Sequence, residues 1–305
     1  MRALVISGGG SKGAFAGGIA EFLIKDCQIS YDIFVGTSTG SLLIPLLAIG
    51  EIDRLKAIYT SVSQQDIFSS NPFIISKKNG EVVLRINHFN ILKMFLKGAK
   101  SFGESKNLRK LICKIVTEED YLKIKQNSSE VIVTVANLSY NRVEYKRLKD
   151  YDYHDFCDWI WASANMVPFM SLLTKDGCEF ADGGMGNIVP IGEAINRGAC
   201  EIDVIVLKTE QPITKKKPVR NALELTTRTF DFMINQIIVD DITIGNLQSK
   251  HSRVNLNFYH PPELLTKNSL IFNPETMKMW WEKGYNFARS NNPQCHCIEP
   301  KSISL

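Results

Sequence analysis

The chain has 305 residues, with 36 Lys and Arg against 32 Asp and Glu, a formal charge of +4. At 44% hydrophobic and 22% charged it has a globular composition, which excludes disordered and collagen-like classes. So slight a charge gives no argument for a nucleic-acid partner, and no apolar run reaches the ~18 residues that a membrane-spanning helix needs.

Seven cysteines at irregular spacing do not read as a disulfide framework in a chain this long. Met1-Arg2 leads at once into an apolar strand, without the long apolar stretch and small-residue cleavage site of a secretory leader, so a cytoplasmic protein is expected. Residues 3–7 (ALVIS) have the unbroken apolar pattern of a strand buried on both faces of a parallel sheet. Gly8-Gly9-Gly10 follows, and a helix opens near Lys12 with Phe15, Ile19, Phe22 and Leu23 along one face. Gly17 and Gly18 inside it each cost up to ~1 kcal/mol relative to Ala, which points to close packing against a neighbour. Residues 31–35 (YDIFV) predict a second strand, 36–40 (GTSTG) a turn, and 41–49 a buried helix that Gly50 stops.

Strand, glycine turn, helix, strand, sharp turn and helix make a βαβα unit, so an α/β fold with a parallel sheet is expected. Further strands are predicted over 130–137, 142–148, 178–181, 202–208 and 254–259, with Asn141 marking a hairpin between the first two. Helices are predicted over 55–62, 108–116, 153–164, 192–197, 219–248 and 274–290. Lys215-Lys216-Lys217 reads as a solvated loop between the sheet and the C-terminal helices. With no internal repeat or low-complexity linker, residues 1–305 are expected to form one domain, a core over about 1–210 carrying a helix-and-strand segment over 211–305.

Two glycine motifs leave the first two strands. Gly36-x-Ser38-x-Gly40 has the form of a nucleophile elbow, in which a strand turning sharply into a helix exposes one strained side chain and only glycine leaves room beside it. The following helix would point its N-terminal N–H groups at charge developing on Ser38. Gly8-x-Gly10-x-x-Gly13 also matches a dinucleotide fingerprint, but that reading needs an acid at the end of the second strand, where the serine turn stands instead. The alternative is that the Gly9 and Gly10 amides point at an oxyanion, each worth typically ~2.7–4 kcal/mol of transition-state stabilisation. Adjacent parallel strands would bring both turns to the same edge of the sheet.

Ser38 needs a base, and none of His88, His154, His251, His260 or His296 sits in a glycine-flanked turn. Asp182 does, in Phe180-Ala181-Asp182-Gly183-Gly184, where an acid either takes a serine proton directly or merely caps a turn.

GGGSKG at 8–13, GTSTG at 36–40 and DGG at 182–184, in that order and at those intervals, resemble the patatin-like phospholipases. Ala162-Ser163-Ala164 with Pro168-Phe169, then Asn187, Pro190, Phe272-Asn273-Pro274 and Gly284, are similar to further pieces of the family pattern, so the resemblance spans nearly the whole chain. It implies a three-layer fold, a mostly parallel central sheet with helices on both faces. It also implies a lipid acyl hydrolase, with phospholipid or another acyl lipid as substrate, a Ser38–Asp182 dyad, no catalytic histidine and no cofactor or metal. Lys12, in the family's basic position, either faces a phosphate or is a solvated first-turn lysine. Residues 67–102 match nothing in the pattern. A soluble carboxylesterase or thioesterase with the same dyad is the alternative enzyme; a silent lipid-binding member is disfavoured by intact Ser38 and Asp182.

Residues 88–102 place Leu92, Phe95, Leu96 and Ala99 on one side of a helix and Lys93, Lys97 and Lys100 on another. Such a helix lies on an anionic membrane as a peripheral contact, or packs its apolar face on the core with its lysines solvated. The apolar stretch 68–75 reads as a lid loop. Met277, Met279, Trp280 and Trp281 read as core, and Cys295-His296-Cys297 is too short for a zinc site. Nothing in the sequence fixes an oligomer.

Overall fold

The first apolar run becomes β1 (Arg2–Ile6), and the glycine turn after it feeds α1 (Gly13–Glu21). The second run becomes β2 (Ile33–Thr37), followed by α2 (Thr39–Ala48), α3 (Ile52–Tyr59) and the single turn α4 (Gln64–Ile67). An excursion follows: the antiparallel pair β3 (Phe73–Lys78) and β4 (Glu81–Ile86), then α5 (His88–Leu96), α6 (Lys106–Ile115) and α7 (Glu118–Gln126). The chain returns as β5 (Glu130–Asn137), β6 (Arg142–Arg147), α8 (Tyr153–Ser163), β7 (Leu173–Lys175) and β8 (Cys178–Asp182). It ends with α9 (Ile191–Asn196), β9 (Glu201–Ile205), α10 (Ala222–Ser252), β10 (Asn255–Tyr259) and α11 (Pro274–Asn291). This computed structural model describes residues 1–78, 81–210, 218–219 and 222–292. The lysine run at 215–217 and the Cys295-His296-Cys297 tail lie outside the described residues.

The central sheet runs β10-β9-β1-β2-β5-β8-β7, with β6 also on β5. From β10 to β5 every pairing is parallel; β6, β7 and β8 are antiparallel additions. Side chains alternate between the faces of a strand, and each face has its own core. Leu4, Ile6 and Phe34 join Phe15, Leu43, Phe156 and Trp281 on one side. Ala3, Val5, Ile33 and Val35 join Ile188, Ile191, Ala194 and Ile238 on the other. Helices therefore cover both faces of a mostly parallel sheet, the three-layer α/β arrangement the resemblance implied.

Helices α1 and α11 approach closely because α1 is bare where they cross. A Cβ on Gly17 would meet the Trp281 ring, one on Gly18 the Trp281 backbone, and one on Gly284 the Phe15 backbone. Trp281 is fully buried and its indole N–H donates to Glu21 at 2.6 Å. The Asn273 side chain caps α11 by accepting from Thr276 N at 2.9 Å.

Several expectations change, among them Met279, which is exposed rather than core. Residues 73–75 are not part of a lid loop: they enter β3, paired antiparallel with β4. The amphipathic helix expected over 88–102 stops at Leu96, with Gly98 in left-handed geometry (φ 65°). The helix placed at 55–62 starts earlier, at Ile52. The irregular cysteine spacing also hid one bridge, since Cys27 is disulfide-bonded while Cys113, Cys157, Cys178 and Cys200 are free.

Trp281→Ala should leave a cavity where α1, α11 and Tyr59 meet, and its cost is expected at roughly 3–5 kcal/mol, read as a lowered urea midpoint with unchanged slope.

Candidate active site

A strand has two edges, and β5 uses both. One is taken along residues 132–137 by β6. The other carries β2, which runs parallel and ends with Thr37 opposite Thr134. From the next residue the same edge is taken by β8, antiparallel, with Asp182 opposite Val135. Strands β2 and β8 therefore meet head to head, and the residues at their meeting ends are Ser38 and Asp182.

The Ser38 hydroxyl stands beside the Asp182 carboxylate, close enough to favour its anion. Ser38 has φ 55° and ψ −118°, a conformation a side-chain-bearing residue adopts only at a cost of order 1–3 kcal/mol. The turn around it closes because Gly36 and Gly40 lack side chains: a Cβ on Gly36 would stand 2.5 Å from the Gly40 carbonyl carbon. Ser163 holds the strained turn. Its Oγ accepts from the Ser38 N–H at 3.1 Å, donates to the Thr134 carbonyl at 2.6 Å and meets the Ser41 hydroxyl at 2.6 Å.

Asp182 is 7% exposed, and burial pushes its carboxyl up to about 6. The Ser38 hydroxyl and a hydrogen bond from the Gly184 N–H (2.8 Å) pull the other way. Its own N–H donates to the Asn165 carbonyl at 3.0 Å. Gly183 carries no Cβ where the chain crosses the Thr134 backbone, and the turn 183–185 keeps Asp182 at its mouth.

Parallel pairing of β1 with β2 in matched register brings the glycine turn beside the elbow. A Cβ on Gly8 would lie 3.1 Å from the Ser38 Cβ. The Gly8 N–H is already used, donating to the Ile188 carbonyl at 3.2 Å. Those of Gly9 and Gly10 donate to no acceptor among the described residues and line the cleft in front of Ser38. Gly10 has φ 57°, and its carbonyl is held back by the Tyr59 hydroxyl at 3.1 Å. Tyr59 also shares a hydrogen bond with Thr39, so one phenol ties the glycine turn to the elbow. Gly13 sits at the start of α1 against Tyr59 and Thr39.

Lys12 is half-buried and turned inward, its Nζ donating to the Leu207 carbonyl at 2.5 Å. The solvated first-turn lysine is therefore excluded. Burial draws its ammonium down to about 8; nearby Lys208 adds to this and Asp231 opposes it. Lys12, Lys208 and Arg228, with the acids Asp231 and Glu263, are among the residues lining a cleft of about 1010 Å³ that also holds Ser38, Asp182 and the glycine turn. No histidine lines this cleft among the described residues. His260 instead lies 3.0 Å from the Lys208 carbonyl and 3.3 Å from Glu210.

Sequence reasoning reached Ser38, Asp182 and the glycines but missed the residues that hold them. Asp241 on α10 accepts from the Ile188 and Val189 amides at 2.7 and 2.9 Å, bracing the segment on which Gly8 rests. Tyr59, Asp241 and Ser105, whose Oγ bonds Asn165 at 2.6 Å, carry no motif, because each acts through a contact distant in sequence. For Ser163 a signal existed in Ala162-Ser163-Ala164, though not its role.

The family model for patatin-like phospholipase matches residues 4–195, which take in both glycine turns and Asp182. The chain belongs to the patatin-like phospholipase family. Membership carries lipid acyl hydrolysis as its general activity. This patatin-like chain is also similar in fold to the crystal structure of VipD from Legionella pneumophila, with a TM-score of 0.51 at 14% identity over 96% of this chain and 67% of that one. No curated protein sequence matches it. Among the described residues no helix is long and apolar enough to cross a membrane.

The Asp182 carboxyl should titrate near pH 6, followed by its carboxyl carbon shift in NMR. In Ser38→Ala the midpoint should rise further, because the hydroxyl that favours the anion is gone while burial remains. A midpoint near the ordinary ~4 would contradict this environment.

Proposed function

We propose that this patatin-like protein hydrolyses fatty-acyl esters of glycerophospholipids through Ser38 and Asp182, with the Gly9 and Gly10 amides as the oxyanion hole. The observation that carries the reading is a strained serine and a buried carboxylate set end to end by the sheet, beside two amides with no acceptor among the described residues. Asp182 takes the Ser38 proton as the oxygen attacks the ester carbonyl. Negative charge on the tetrahedral carbon's oxygen is met by the two N–H groups and the N-terminus of α2. Asp182 then returns its proton to the leaving alcohol. Water, deprotonated by the same carboxylate, releases the fatty acid and frees Ser38.

The cleft suits an amphiphile. Lys12 and nearby Lys208 put positive charge on one part of the wall, partly offset by Asp231, fit for a phosphodiester. On another, Leu42, Ile67, Leu108 and Phe272 border both the cleft and a small apolar cavity of about 50 Å³ behind it, a path for an acyl chain. An elevated base is what proton transfer near neutrality needs.

Ser38→Ala and Asp182→Asn should each lower kcat/KM on mixed phospholipid vesicles at least 10³-fold, with fatty-acid release read by mass spectrometry. A fluorophosphonate probe should label wild type on Ser38 alone. An active Asp182→Asn accompanied by loss in His260→Ala would show a different base. Equal rates on soluble short-chain esters and on bilayer phospholipid would favour the esterase reading instead.

A base that must be ionised and titrates near 6 makes kcat/KM rise with pH through about 6. For an anionic phospholipid it should fall again above about 8 as Lys12 loses its proton, and for a neutral monomeric ester it should stay level. Because the Asp182 pKa is raised by folding, its ionisation lowers stability as pH climbs from about 4 past 6. Asp182→Asn should therefore be no less stable than wild type at pH 7, and up to about 2–3 kcal/mol more.

A further inference from the structure

Helix α5 faces the wrong way for a core helix. Its buried residue is Met94, whereas Phe89, Leu92, Phe95 and Leu96 are 77, 58, 64 and 80% exposed. At ~100° per residue these four fall within one stripe of roughly 120°, nearly opposite Met94. Ile74 and Ile75 of the neighbouring β3 are exposed as well. Four large apolar side chains grouped on one outward helix face mark a surface that meets something other than water.

We propose that α5, with Ile74 and Ile75 of β3, forms a docking lip that inserts into the interface of an anionic phospholipid membrane. Charge selects the occupant. Helix α5 carries no acidic residue, and Lys93 and Lys97 flank the apolar stripe, exposed and without an ion-pair partner among the described residues. Leucine and phenylalanine on one side with free lysines beside them is the composition of a helix lying in the plane of a headgroup layer.

The lip also leads to the cleft. Phe95 packs on Phe102 at 6.1 Å between ring centroids, Phe102 on Phe169 at 6.1 Å, and Phe169 on Phe230 at 6.0 Å, where Phe230 lines the cleft. The Phe102 N–H donates to the Pro168 carbonyl at 2.7 Å, tying the segment after α5 to the 166–170 cleft wall. A helix seated in headgroups would thus set the mouth of the cleft against the lipids it draws from. The benefit of docking to catalysis rests on the hydrolase reading; the docking itself does not.

The test is flotation with vesicles of phosphatidylcholine alone and of phosphatidylcholine with 30% phosphatidylserine, comparing wild type, Leu92→Ser/Leu96→Ser and Lys93→Glu/Lys97→Glu. Wild type should bind the anionic vesicles at least tenfold better than the neutral ones, and both variants should lose at least tenfold of that binding. All three should hydrolyse a soluble short-chain ester alike, while vesicle hydrolysis falls with binding. Wild type that ignores anionic vesicles, or variants that bind like wild type, would overturn the proposal. So would a concentration-dependent dimer in sedimentation that the leucine variant abolishes, since a second copy would then be the occupant. If no form cleaves the soluble ester yet binding behaves as stated, the hydrolase reading fails and the lip stands.

Discussion

Everything at the site depends on how β5 shares one edge between two strands running in opposite directions. Strand β2 ends opposite Thr134 and β8 ends opposite Val135, so the backbone ladder sets the last residues of two strands nose to nose. No side-chain contact could fix Ser38 and Asp182 as firmly, since displacing either would break main-chain hydrogen bonds inside a sheet covered on both faces. The ladder delivers the Asp182 carboxyl directly to the side of the Ser38 hydroxyl. That delivery has a cost. A carboxylate in so buried a position is disfavoured in its charged form, and the same burial brings its pKa to the range where a base works.

Around this junction the polypeptide holds strain with ordinary parts. The left-handed φ of Ser38 survives because Ser163 accepts its N–H and Gly36 and Gly40 let strand and helix touch. The glycine turn is fixed on its far side by Tyr59 and Ser269, which occupy the Gly10 carbonyl and the Ser11 N–H, while the amides of Gly9 and Gly10 have no acceptor among the described residues. Asp241 reaches in from α10 to brace Ile188 and Val189. Elements from the first and last thirds of the chain thus converge on one catalytic edge.

Much of this was legible in the sequence. The unbroken apolar strands, the two glycine turns and the DGG turn are local signals, because each reports a backbone conformation that few residues tolerate. They are enough for the mostly parallel sheet and for placing Ser38 and Asp182 at strand ends. What escaped was non-local or weakly patterned. Helix α7 was overlooked although Thr117 and Asp120 form a reciprocal capping box at its start, and its polar surface has little periodicity. The loop reading of 68–75 runs into β3, and its partner β4 carries no motif of its own. The orientation of α5 could not be read at all: periodicity shows that a helix has an apolar stripe, and only packing shows which way it faces. The direction of Lys12 is equally invisible in sequence, since only the Leu207 carbonyl turns it inward.

The most direct test of the account is a crystal structure of the covalent adduct formed by an alkylphosphonate on the enzyme. The account predicts phosphorus bonded to Ser38 Oγ, a non-bridging oxygen about 3 Å from the Gly9 and Gly10 nitrogens, and Asp182 beside the adduct. An adduct on another residue, or on Ser38 with that oxygen turned away from both glycines, would contradict it.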